Sequence, residues 1–262
     1  MNILILIFLI ILLIAFSARY NWWRIPQSYE KARVLMYHSI CEHIGKEKHN
    51  KWRVKPKDFE KQMKWFYDNK WNSFTISELI KLDEIPKKSF VVTFDDGYED
   101  NFINAFPILK KCNFKATIYL VPNQSINHWE EKNTSVLSNL LNNEQILQMQ
   151  NTGLIEFGSH TLSHVNLSTI NDEQLLIELK KSKEEIEKIT RKECEAFAYP
   201  YGKFDDKIIQ AVEEIGYKNA TVVKRGLFEK NDNPFIIKRI GILGTESFVD
   251  FLLKVTRIRN KL

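Results

Sequence analysis

The stretch Ser89-Phe90-Val91-Val92-Thr93-Phe94-Asp95-Asp96-Gly97 decides the fold. Its first six residues have strand length and composition, with the apolar continuity of a strand buried on both faces. Two adjacent carboxylates end it, and Gly97 lets the chain turn at once. Consecutive side chains on an extended chain point apart, so the two acids are expected to have different jobs. Outward from this strand, further strands are predicted over residues 33–38, 116–121, 153–157, 196–199, 219–223 and 235–242. Helices are predicted between them over residues 56–70, 105–111, 171–190 and 205–215. The first carries Phe59, Met63 and Phe66 on one face. The third starts at Asn171 with Gln174 at the capping-box position, and the last is closed by Gly216. Repeated strand–helix units predict an α/β fold with parallel strands, as a barrel or an open sheet. In either, chemistry gathers at the C-terminal strand ends, where Asp95 and Asp96 lie.

Composition narrows the function classes. The 262 residues are 44% hydrophobic and 27% charged, enough apolar material to exclude disorder as the main state. Cys41, Cys112 and Cys194 form no CxxC pair, which excludes a disulfide scaffold and a four-cysteine zinc site. A net charge of +5 with interspersed Lys and Glu argues for a mixed surface and no nucleic-acid partner.

A second cluster follows the 153–157 strand, in Gly158-Ser159-His160-Thr161-Leu162-Ser163-His164. Histidines at i and i+4 on one helical turn face the same side and can close on one ion. Two His and one carboxylate form a divalent-metal set that leaves positions for water and substrate. Taken singly, Asp-Asp-Gly is also an ordinary turn, and paired histidines also occur on plain surfaces. Together they point to metal chemistry.

These motifs, followed by Tyr199-Pro200-Tyr201-Gly202, resemble the ordered motifs of NodB-like polysaccharide deacetylases, carbohydrate esterase family 4. The resemblance covers about residues 33 to 245. It implies a distorted (β/α) barrel that removes acetyl groups from sugars with one divalent metal ion, zinc by default, with Co, Ni, Fe or Mn also accepted. It implies Asp95 as general base, and Asp96, His160 and His164 as metal ligands. Tyr201 would lend a backbone N–H to the oxyanion. The physics is consistent. The metal polarises the acetyl carbonyl and acidifies water. A carboxylate beside it takes the water's proton, and an N–H shares the oxyanion's charge.

Two positions depart from the family pattern. The Arg found two residues before the Pro of the third motif is Ala198 here, and no His follows His164 to supply the acid. Among the other histidines, only His38 ends a predicted buried strand. Val34-Leu35-Met36-Tyr37-His38-Ser39 resembles the opening motif of the circularly permuted poly-N-acetylglucosamine deacetylase branch, where an early Tyr-His supplies the acid. His38 is therefore assigned as general acid, the alternative being a core histidine at the barrel mouth. His43, His49 and His128 sit in polar stretches and are expected to be solvated. Arg239 is the substitute for the missing Arg, able to pair with Asp95; an ordinary surface arginine is the alternative. Trp52, Tyr98 and Trp129 are candidates for stacking on sugar rings, or else core.

Residues 3–16 form an unbroken apolar run, and none of the first eighteen residues is charged. Fourteen residues rise only about 21 Å as a helix, short against a hydrocarbon core of roughly 30 Å. Tyr20, Trp22 and Trp23 with Arg19 and Arg24 form the aromatic and basic flank of an interfacial anchor. The expected organisation is a membrane anchor or signal segment at 1–18, a linker at 19–32 and a catalytic domain at 33–262. The basic flank would hold the domain in the cytoplasm, whereas the short anchor and the family's habit set the expectation outside it. The expected partner is an acetylated glycan or a lipid-linked amino sugar. Two rival classes remain: a tethered glycan-binding module without activity, and a non-haem iron oxygenase, which would need an all-β fold.

Overall fold

The computed structural model describes residues 3–20 and 25–257. Trp22, Trp23 and Arg24, part of the expected interfacial flank, lie outside the described residues. The chain divides into two compact units, one of residues 29–245 and one of residues 1–28 with 246–262. Residues 246–262, expected to belong to the catalytic domain, thus group with the N-terminal segment, and the larger unit starts a few residues before 33.

The larger unit is built on eight parallel strands: β1 (Arg33–Tyr37), β2 (Asn72–Ser73), β3 (Ser89–Phe94), β4 (Ala116–Leu120), β5 (Ile155–Ser159), β6 (Ala196–Ala198), β7 (Asn219–Thr221) and β8 (Ile240–Gly241). Their spatial order is β7-β6-β5-β4-β3-β1-β8, with β2 also paired to β3. Ile237, three residues before β8, bridges in parallel to Thr221 of β7, while Ile240 is in register with Leu35 of β1. One segment thus touches both ends of the sheet and curls it into a distorted (β/α) barrel. Every residue of β1, β3 and β4 is buried, as expected of parallel strands covered on both faces. Val34, Val91, Tyr119, Ala196, Ala198 and Ile237 fill the interior. An all-parallel α/β ring rules out the all-β frame of the oxygenase reading.

In chain order the helices are α1 (Ile3–Tyr20), α2 (Pro56–Asp68), α3 (Ile76–Lys81), α4 (Phe106–Cys112), α5 (Asn143–Gln150), α6 (Asp172–Thr190), α7 (Asp206–Glu214) and α8 (Phe248–Thr256). In α2, Pro56 opens the first turn and Phe59, Met63 and Phe66 are buried. Asn171 caps α6 through the Gln174 N–H, and Asp205 caps α7 through the Ile208 N–H. α1 and α8 belong to the smaller unit, where Arg19 forms a two-pronged ion pair with buried Asp250 at 3.0 and 3.2 Å. Among the described residues no helix is long and apolar enough to cross a membrane. The fourteen-residue apolar run in α1 rises about 21 Å, against a hydrocarbon core of roughly 30 Å.

Gly158 is where the barrel wall leaves no room. An added Cβ would lie 2.7 Å from the Ala196 carbonyl oxygen and 2.7 Å from the Tyr119 ring. Gly158→Ala should cost about 1–3 kcal/mol through overpacking. Urea unfolding should show a lower midpoint at unchanged slope. An unchanged midpoint would contradict close packing of β4, β5 and β6.

Candidate active site

Three strand ends supply the chemistry: His38 follows β1, Asp95 and Asp96 follow β3, and His160 follows β5. The Asp95 N–H donates to the Tyr37 carbonyl at 3.0 Å, extending the β1–β3 ladder by one residue. Asp96 and Gly97 then adopt φ of 74° and 72°. This left-handed turn at the strand end sends the two carboxylates in different directions. Thr161, His164 and Tyr201 also have positive φ, at 68°, 57° and 58°. Non-glycine residues in this region cost of order 1–3 kcal/mol each and concentrate at functional sites. His160 and His164 are therefore not on the expected helical turn. A loop brings them together, and buried Glu178 of α6 holds it by accepting from the Leu162 and Ser163 N–H groups at 2.9 and 3.0 Å and from the Ser163 hydroxyl.

Asp96, His160 and His164 are buried, with one potential ligand atom from each lying within 4.8 Å of the others. Asp96 Oδ1 is 3.1 Å from His164 Nε2 and 3.6 Å from His160 Nε2, yet has no hydrogen-bond donor. The Ala198 carbonyl, 2.8 Å from His160 Nδ1, can only accept. His160 Nδ1 must therefore carry the proton, leaving a lone pair on Nε2 aimed at the carboxylate. His164 Nδ1 lies 3.2 Å from the Tyr201 hydroxyl, which can accept its proton in the same way. Burial lowers the His160 pKa to about 4, keeping the ring neutral. Burial alone would raise Asp96, but the charge that the neighbouring imidazoles, His164 foremost, carry when protonated in acid outweighs it and holds the carboxylate well below its usual range. Neutral imidazoles and an ionised carboxylate are the forms that ligate a divalent ion, and converging lone pairs with no proton between them fit one.

Asp95 is paired differently. Arg239, fully buried just before β8, donates to Asp95 Oδ1 at 2.6 Å and Oδ2 at 2.8 Å. It also donates to Thr93 Oγ1 at 3.1 Å and the Val222 carbonyl at 3.2 Å. Burial would raise the Asp95 pKa, but Arg239 overrides it and the net direction is down. Arg239 is thus a buried partner of Asp95 and no surface arginine, while Ala198 contributes its carbonyl to His160.

His38 is half-buried at the same mouth. Its ring packs against Trp52 at a tilt of 33° with centroids 4.4 Å apart, and its Nδ1 has no partner among the described residues. Burial lowers its pKa, opposed by the Asp95 and Asp96 carboxylates. Trp129 stacks on His164 at 4.4 Å. Of the two readings open for Tyr98, the structure shows the core one: its ring is buried and its hydroxyl accepts from Asn127 Nδ2 at 3.3 Å. His49, expected to be solvated, is buried against Glu130, which lies 3.1 Å from its Nδ1. Tyr201 presents its hydroxyl to His164, and its exposed ring stands edge-on to that imidazole.

Breaking a buried ion pair from one side strands the other charge. Asp95→Asn or Arg239→Met alone should each cost about 3–5 kcal/mol, and the double variant less than the sum. Denaturant unfolding of the three variants checks this, and strict additivity would contradict the coupling. Loss of Arg239 also removes the influence that lowers the Asp95 pKa. The acidic limb of the pH–rate profile should then move to higher pH in Arg239→Met, and an unmoved limb would uncouple the two groups.

A family model described as polysaccharide deacetylase matches residues 83–220; it contains Asp95, Asp96, His160, His164 and Tyr201, whereas His38 and Arg239 lie outside it. The Bacillus subtilis protein YxkH, named as a polysaccharide deacetylase, is 30% identical over 224 residues, covering 84% of this chain and 74% of its own. A poly-β-1,6-N-acetyl-D-glucosamine N-deacetylase of Staphylococcus aureus is 30% identical over 198 residues, covering 71% and 67%. The crystal structure of a Bacillus cereus polysaccharide deacetylase superposes with a TM-score of 0.73 at 32% identity, over 88% of this chain and 69% of that one. Matching motifs, a matching barrel and relatives at this identity agree: the chain belongs to the polysaccharide deacetylase family.

Proposed function

We propose that this protein is a divalent-metal-dependent N-deacetylase acting on N-acetylated amino sugars of a bacterial glycan, with β-1,6-linked N-acetylglucosamine the leading substrate. The observation that carries the reading is the buried convergence of Asp96, His160 and His164 lone pairs beside an ion-paired Asp95. The glycan is suggested by the name of the Staphylococcus aureus relative. An ion on the three ligands, zinc by default and Co, Ni, Fe or Mn as alternatives, would polarise the acetyl carbonyl and acidify a water. Asp95, ionised at neutral pH, takes the water's proton as general base. His38 gives a proton to the departing amine. The Tyr201 N–H faces the oxyanion. Trp52 and Trp129 wall the mouth on either side.

We further propose that the apolar residues exposed along α1 attach the protein to a membrane, and that the catalytic unit lies outside the cytoplasm, a side taken from the family's habit and the shortness of the apolar run. A reporter fused after Leu262 reads the side, and activity only in the cytoplasm would contradict it.

Alanine at Asp96, His160 or His164 should lower bound metal along with acetate release. Full metal occupancy in all three inactive variants would contradict the ligand assignment. Asp95→Asn should keep its metal and lose about 10²–10⁴ in kcat, the usual worth of general-base help. Wild-type kcat would remove Asp95 from the reaction. His38→Ala should lose most of its turnover on an acetamide but little on an activated aryl acetate, whose leaving group needs no proton. Equal loss on both would contradict the acid role. A glycan-binding module without activity would bind the oligomer and release no acetate at all.

A further inference from the structure

Three side chains of the segment after β3 grip the backbone that carries His38. Asn101–Ala105, which leads into α4, is one turn of π-helix, a rare geometry that appears mostly at functional sites. Asn101 Nδ2 donates to the His38 carbonyl at 2.9 Å, and Asn104 Nδ2 to the Ile40 carbonyl at 2.8 Å. Asp100 Oδ1 accepts from the Ile40 N–H at 2.7 Å, and Oδ2 from the Ser39 hydroxyl at 2.5 Å. Asn101 Nδ2 also donates to Asp100 Oδ1 at 3.1 Å, so the two side chains hold each other. From the other side, the Ser39 N–H donates to the Trp52 carbonyl at 3.2 Å and the Val54 N–H to the Ser39 carbonyl at 3.0 Å. The same tie places Trp52 against the His38 ring.

This grip matters because of what the ring lacks. A histidine that moves a proton is normally oriented through its second nitrogen by a carboxylate or carbonyl. Nothing among the described residues does that for His38 Nδ1. The ring's place is left to its backbone and to one aromatic face. A displacement of about 1 Å at a catalytic group can cost 10²-fold in rate.

We propose that Asp100, Asn101 and Asn104 are positioning residues that fix where His38 delivers its proton. They do not touch the reacting atoms and act through the His38–Ile40 backbone. The proposal rests on the reading of His38 as general acid.

The test uses the full-length, metal-loaded protein with two probes, a β-1,6-linked N-acetylglucosamine oligomer and 4-nitrophenyl acetate. Asn101→Ala and Asn104→Ala should keep their metal. On the oligomer, kcat should fall by about 10²-fold at nearly constant KM, while the ester rate stays within about threefold of wild type. Asp100→Asn, which keeps an acceptor for the Ile40 N–H, should retain more activity than Asp100→Ala. In a His38→Ala background, Asn101→Ala should add no further loss. Equal loss on both probes, lost metal, unchanged kcat on the oligomer, or a further large loss in the double variant would each overturn the proposal. If His38→Ala alone spares the ester while Asn101→Ala does not, the positioning role fails and the acid role stands. If His38→Ala lowers both rates equally, the acid role fails and the positioning role falls with it.

Discussion

Two carboxylates adjacent in the chain cannot both stay ionised in a dry pocket unless each has its own positive partner. Much of the site follows from meeting that constraint. The left-handed turn at Asp96 and Gly97 parts the two side chains. Asp95 is neutralised by a fork of two hydrogen bonds from Arg239, which arrives from the segment that links the two ends of the sheet. Asp96 faces two imidazoles whose protons are drawn to the opposite side of each ring, a setting that a cation completes. The two acids thus stay ionised by different means, as the proposed base and the proposed ligand require, although burial pushes both in the same direction.

Around this pair the mouth is assembled from loops that hold one another. Arg53, fully buried, donates to Glu47 and to Thr134, each at 2.7 Å. Glu47 also accepts from the Ser135 N–H at 2.8 Å, and His49 meets Glu130. These contacts tie the loop carrying Trp52 to the loop carrying Trp129. The Trp52 indole packs tilted on His38 and the Trp129 indole stacks on His164, so the same polar tie holds an aromatic wall beside the proposed acid and beside a proposed metal ligand.

The long apolar runs at β1, β3 and β4 were legible in the sequence because a buried parallel strand leaves no polar alternation to confuse it. Asp95, Asp96, His160 and His164 were legible because their residue types follow such runs directly. β2, two residues long, carries no period at all, and the short α3 and α5 fell in stretches too brief to show one; β8 lies within the strand expected over residues 235–242 but is only two residues long. The i, i+4 spacing of the histidines suggested a helical turn, but positive φ at Thr161 and His164 needed tertiary support that spacing cannot reveal. That support is Glu178, an acid in a helix otherwise rich in solvated charge, with nothing local to mark it as buried. His49 was misread for the same reason: its partner, Glu130, lies about eighty residues away in sequence. Asp100 and Asn101 follow the Asp-Asp-Gly motif closely, yet their hold on His38 is a long-range pairing that only the barrel creates.

The most direct measurement is acetate release from a β-1,6-linked N-acetylglucosamine oligomer by metal-stripped protein as zinc is added back. Convergence of Asp96, His160 and His164 on a single ion predicts no release without metal and a linear rise that ends at one zinc per chain. Full release by the stripped protein, or a rise that continues well past one equivalent, would contradict it.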